Sequence, residues 1–109
     1  MREGLQIPSA QYDEAMRFIA ASKIQVAELF KATPVMLTPA APGPAPFGLG
    51  STGDARMNAP WTALGTPAIS IPLPVKGLPL GLQLTADHGQ DARVIRTAVR
   101  LEKILNRNL

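Results

Sequence analysis

Side chains able to act as nucleophiles or proton carriers are few in this chain, and their spacing does not gather them. The serines are Ser9, Ser22, Ser51 and Ser70, the lysines are Lys23, Lys31, Lys76 and Lys103, and His88 is the single histidine. Nucleophilic catalysis needs a hydroxyl, thiol or amine with a base in reach. Cysteine is absent, which excludes thiolate chemistry, disulfides and thiolate metal sites. Ser22 falls inside a long helical pattern, Ser70 in an apolar run expected to be a buried strand, and Ser51 in a glycine-rich loop. No G-x-S-x-G elbow surrounds Ser51 to lift its hydroxyl out of a strand–helix turn. His88 stands between Asp87 and Gly89 with Asp91 just beyond. A metal would want at least three convergent ligands, so this hydrophilic stretch reads as a solvated loop before a helix.

Two further patterns suggest phosphate chemistry and fail on context. Gly48-Leu-Gly50-Ser-Thr-Gly53 matches G-x-G-x-x-G, which cradles a pyrophosphate when it joins a strand to a helix. Here a proline-rich stretch precedes it, and no acidic residue lies at the distance that would meet a ribose. A turn leading to Asp54 is the simpler reading. Arg93, Arg96, Arg100, Lys103 and Arg107 recur every three or four residues near the C-terminus and could track a phosphate backbone. No aromatic residue interleaves with them, so a solvated helix face, or one that pairs with acids on a partner, is the better expectation. The net charge of +3 and pI of about 9.8 are mild, and nucleic acid is not expected as a partner.

The elements that would position these residues are readable. From Ser9 to Lys31, Tyr12, Met16, Ile19, Lys23, Val26 and Phe30 recur at helical spacing, with Asp13 and Glu14 expected in the first turn and Pro34 just past the end. At 1.5 Å per residue such a helix is about 33 Å long. Val35 to Thr38 is an apolar run between prolines and predicts a short strand. Residues 39–50 hold four prolines and three glycines, which forbids helix and central strand alike. This is either an interdomain linker or an ordered loop. The flanks are too short to fold separately, so a single domain over residues 1–109 is expected. Asp54 predicts a helix cap over Ala55 to Leu64 with Gly65 as its stop, although Pro60 argues for a kink or early break. Ala68 to Ile71 and Gly81 to Thr85 predict an antiparallel strand pair. In the second of these, Leu80, Leu82 and Leu84 share one face and Gly81, Gln83 and Thr85 the other. Asp91 to Arg107 predicts a final helix with Val94, Ala98, Leu101 and Leu105 as its buried stripe.

The stretch from Thr52 to Leu84 also carries a resemblance. Thr52-Gly53, Trp61, Gly65-Thr66-Pro67-Ala68-Ile69-Ser70-Ile71-Pro72 and Gly77-Leu78-Pro79-Leu80-Gly81-Leu82-Gln83-Leu84 resemble the C-terminal part of the amidase signature family, amide hydrolases with a Ser–Ser–Lys triad. Tyr12 to Pro39 and Asp91 to Leu105 extend the likeness to nearly the whole chain, yet only to the closing part of a family member. The resemblance implies an α/β fold, a partial amidase-signature architecture ordered helix, strand, helix, strand, strand, helix, with a small mixed sheet packed by two long helices. It implies that the Gly/Ser-rich signature and the catalytic lysine lie upstream of the matching region, so no catalytic residue is expected here. None of the four lysines stands in that context. The loop with Ser51, Thr52 and Gly53 would run along the substrate cleft, and Trp61 would either pack in the core or line the pocket. Two positions depart from the family pattern: Pro34 replaces an Asp before the Val35 strand, and Thr62 replaces an Asn after the tryptophan.

Hydrophobic residues make up 46% of the chain and aromatics only 5%, so any core must be built of Leu, Ile, Val and Ala. No run approaches about 18 apolar residues, and the N-terminal stretch lacks the apolar region of a signal peptide. A soluble cytoplasmic protein is expected, without cofactor or metal. Its expected partner is a further copy of itself or the missing N-terminal amidase part. A small oligomeric binding or structural module is the alternative.

Overall fold

A computed structural model describes residues 2–107. After a single 3-10 turn at Gly4–Gln6, the elements are α1 (Ser9–Ala32), β1 (Val35–Pro39), α2 (Ala59–Leu64), β2 (Ala68–Pro72), β3 (Gly81–Ala86) and α3 (Asp91–Asn106). Helix α1 runs without glycine or proline inside it and begins directly after Pro8, whose extended backbone opens the first turn. Because it begins at Ser9, Asp13 and Glu14 fall in its second turn, not the first. Helix α2 is shorter than its sequence suggests. Pro60 sits in its opening turn, where the missing N–H would have had no helical partner. The Asp54 carboxylate accepts the Arg56 N–H at 2.8 Å and the Ala55 carbonyl then accepts from Asn58 and Ala59. Asp54 therefore caps a turn that leads into the helix, and regular helix starts four residues later than Ala55. Gly65 closes α2 at φ 70°, ψ 28°, a left-handed conformation that favours glycine.

The sheet has the order β1-β3-β2. Both ladders are antiparallel, so the small mixed sheet that was expected is replaced, among the described residues, by an antiparallel one. Strand β3 is central, with Leu37 and Ile69 opposite Leu84, and Thr38 and Ser70 opposite Gln83. Alternation gives the sheet two unlike faces. On the apolar face, Ile71, Leu84 and Ala86 meet Val94 and Ala98 of α3, with Val35, Ile69, Leu82, Leu101 and Leu105 around them. On the other face, two buried polar side chains tie down the segment before β2. Gln83 Nε2 donates to the Met57 carbonyl at 2.8 Å and to Thr38 Oγ1 at 3.2 Å, and Thr85 Oγ1 donates to the Pro67 carbonyl at 2.9 Å. Buried polar groups without partners are costly, and these bonds leave no buried side-chain nitrogen or oxygen unsatisfied among the described residues. Ser70 lies at the β2 edge and is exposed, contrary to the expectation of burial.

Only one of the two long helices covers the sheet. Helix α3 lies on β2 and β3, whereas α1 makes its main contact with α2, through Phe30 and Trp61, whose ring centres are 6.5 Å apart. The result is a slab of 53 × 41 × 16 Å with a radius of gyration of 16.8 Å. A compact chain of this length would have about 13 Å. No helix among the described residues is long and apolar enough to cross a membrane.

Candidate functional site

The proline-rich loop passes over one end of the sheet because both of its ends are held there. Its start continues β1, and Ala40 N–H still donates to the Gly81 carbonyl at 2.9 Å. Its far end reaches Met57, held by Gln83. Between loop and sheet lies an open cavity of about 840 Å³. Its floor is Leu37, Leu80 and Leu82 with Gly81, and its wall is Pro42, Pro44 and Pro46. Thr38, Thr52, Asp54 and Asn58 supply its polar side chains. Two of these are already engaged: Thr38 with Gln83 and Asp54 in an ion pair with Arg56. Gly81 is the point of closest approach. A Cβ there would collide with Ser70 Oγ and stand 2.9 Å from Ala40 Cβ.

Of the residues singled out by sequence, Thr52 and Gly53 line this cavity, and Ser51 and Trp61 do not. Ser51 sits beside it with its hydroxyl oxygen accepting the Gly53 N–H at 3.0 Å. Gly53 has φ 95°, where a side chain would be strained. Trp61 is half-buried against Phe30, on the α1–α2 side. Asp54, Asn58 and the proline wall were not anticipated as lining residues. Four prolines in a short loop tethered to a strand were the available signal, since such a loop is stiff enough to stand off the sheet and hold a cavity open.

The other candidates resolve simply. His88 Nδ1 lies 3.0 Å from the Gly65 carbonyl. A carbonyl only accepts, so Nδ1 carries the proton and the imidazole ties the β3–α3 loop to the end of α2. No group of three acidic, histidine or cysteine side chains among the described residues is placed to hold a metal. Gly48 to Gly53 lies in irregular backbone with no strand before it and no helix opening after it, which removes the context for pyrophosphate. Arg93, Arg96, Arg100, Lys103 and Arg107 are all exposed, on the side of α3 away from Val94 and Ala98. The two departures from the family pattern are both at the surface. Thr62 Oγ1 donates to the Asn58 carbonyl at 3.3 Å, and Pro34 lies in the exposed bend between α1 and β1.

Comparison with solved structures gives the decisive observation. A crystal structure of an amidase superposes with a TM-score of 0.83 over 94% of this chain, at 26% identity, using 27% of the amidase. This chain matches the C-terminal part of the amidase-signature family. The amidase-type fold is matched again by the A subunit of the glutamyl-tRNA(Gln) amidotransferase of Thermotoga maritima, with a TM-score of 0.69 over 83% of this chain at 26% identity. In sequence, the corresponding amidotransferase chain of Thermus thermophilus is 35% identical over 101 residues, and putative amidase AmiA2 of Mycobacterium tuberculosis is 30% identical over 118. The chain spans 21% and 24% of the lengths of these two curated relatives. No family model matches.

Proposed function

We propose that this chain supplies one wall of the substrate cleft of an amidase-type hydrolase of carbon–nitrogen bonds, and that it carries no nucleophile of its own. The observation that carries the reading is the composition of the cavity. It has an apolar floor, a stiff proline wall and the Thr52–Gly53 loop, yet no serine, lysine or histidine lines it. Thr38 and Asp54 are engaged by Gln83 and Arg56 and no lysine or histidine lines the cleft to activate Thr52, so a cleft built this way can hold an acyl group without an activated nucleophile to attack it. In this reading Thr52 and Gly53 border the substrate, Ser51 sets the turn that presents them, and Trp61 holds α2 in place. The partner is the remainder of an amidase-length polypeptide or a further copy of this chain. No cofactor is needed, and the cysteine-free composition fits the reducing cytoplasm, where we place the protein.

The test is hydrolysis of a simple aryl amide by the chain alone and by Ser51→Ala. Both should stay at background. Turnover by the chain that disappears in Ser51→Ala would overturn the reading. The exposed basic stripe of α3 keeps a nucleic-acid module as the second reading. Nonspecific binding of roughly 10⁻⁴ to 10⁻⁶ M at physiological salt fits the first reading, and submicromolar, sequence-dependent affinity would favour the second.

A further inference from the structure

The cavity under the proline-rich loop holds one charged side chain, and that charge is already neutralised. Asp54 is the only acidic residue lining it, and among the described residues no lysine, arginine or histidine joins the lining. One residue engages both oxygens of the Asp54 carboxylate. Oδ1 accepts the Arg56 backbone N–H at 2.8 Å, and Oδ2 accepts from Arg56 Nε at 2.5 Å. The first bond closes a turn over residues 54–56. The second folds the guanidinium back over that turn, from a residue that lies outside the lining. What the wall then offers is Leu37, Leu80 and Leu82, the prolines, and the uncharged Thr52 and Asn58.

We propose that Arg56 sets the charge preference of this cleft. By holding the Asp54 carboxylate it makes a wall that takes acyl groups with an uncharged, apolar body and turns away those that carry an ammonium. The proposal rests on the reading of the cavity as one wall of a substrate cleft, and it names what that wall selects. An ammonium laid against leucines and prolines loses hydration and gains no partner. Asp54 is the one group in the cavity able to offset that loss, and Arg56 occupies it.

The pair is partly open to water. Its side chains are 45% exposed at Asp54 and 72% at Arg56, and such a pair contributes little to folding stability. Its consequence lies in the cavity, where it removes a free negative charge from an otherwise neutral wall. The same exposure sets the size of the effect: releasing the carboxylate changes relative affinity by a few-fold and not by orders of magnitude. The turn itself does not depend on the guanidinium, because the backbone N–H of residue 56 reaches Oδ1 whatever side chain that residue carries.

Nuclear magnetic resonance titration of the intact chain tests the proposal, with hexanamide and 6-aminohexanamide as probes. They have the same chain length and differ by a terminal amine that is an ammonium at neutral pH. The amide signals of Thr52, Gly53 and Leu82 report binding in the cavity. At low ionic strength the wild type should bind hexanamide at least about threefold more tightly than 6-aminohexanamide. Arg56→Gln keeps the backbone bond to Oδ1 and leaves the Asp54 charge without its counter-ion. The ratio of the two affinities should then move by about threefold toward the ammonium probe. Adding Asp54→Asn to Arg56→Gln should return the ratio to that of the wild type. A wild type that binds both probes equally would overturn the proposal, and so would a ratio indifferent to Arg56→Gln. Either result leaves the cleft reading standing, because hexanamide still shifts the cavity signals. A titration in which neither probe moves Thr52, Gly53 or Leu82 removes the cleft reading, and the charge preference with it.

Discussion

The two long helices of this chain have opposite fates. Helix α3 lays Val94 and Ala98 on the apolar face of the sheet, and both are buried. Helix α1 buries only Phe30 and leaves its other half in water. What separates them is the surface on offer. A three-stranded sheet has one apolar face, and α3 takes it. The opposite face is polar, its center held by Gln83 and Thr85, which are spent on the 57–67 segment. A longer helix cannot lie there without burying polar groups already bonded elsewhere. Helix α1 therefore rests on α2, a helix of six residues, and a helix that short covers less than half of one of 24.

Substitutions sharpen this contrast. Leu84→Ala removes the center of the α3 side, a side chain with no exposed surface. Such a change should cost about 2–5 kcal/mol, read as a fall in the urea midpoint. Trp61→Ala acts on the α1 side. Its partner is Phe30 alone among aromatics and it is only half-buried, so the cost should be smaller, about 2 kcal/mol, with loss of helical signal from α1. A cost above that of Leu84→Ala would reverse the ranking of the two sides. Gly81→Ala places a methyl against Ser70 Oγ and Ala40 and should cost about 1–3 kcal/mol. Part of that should return in the Gly81→Ala, Ser70→Gly double variant, and an unaffected single variant would mean that the β2–β3 spacing yields freely. Phe18→Ala, at an exposed position, should change the stability of the dilute chain by no more than about 0.5 kcal/mol.

Much of the fold was legible because prolines and glycines punctuate it. Pro34 and Pro67 precede strands that begin at the next residue, and the alternation of Leu82, Gln83, Leu84 and Thr85 gave the correct faces. Both Val35 to Leu37 and Ala68 to Ile71 lie in the edge strands of the sheet. The start of α2 was misread because Asp54 does cap backbone, but caps a turn: local hydrogen bonding was right and its extent was wrong. The antiparallel direction of β1 on β3 was not legible. It depends on how the 41 residues between them, α2 and β2 included, return the chain, and no local pattern encodes that. For the same reason the cavity could be anticipated only through Thr52 and Gly53. Asp54, Asn58 and the prolines join the cleft by tertiary placement, and Trp61, read from the same stretch, turns to the other side of α2.

Hydrogen exchange on the dilute chain tests the contrast between the two sides most directly. Amides from Leu82 to Thr85 in β3 and from Val94 to Ala98 in α3 should exchange slowest, near the rate of global unfolding. Those from Tyr12 to Phe18 should exchange faster than those of α3. Equal protection of the two helices at high dilution would mean that α1 is held by this chain alone, and would contradict the account.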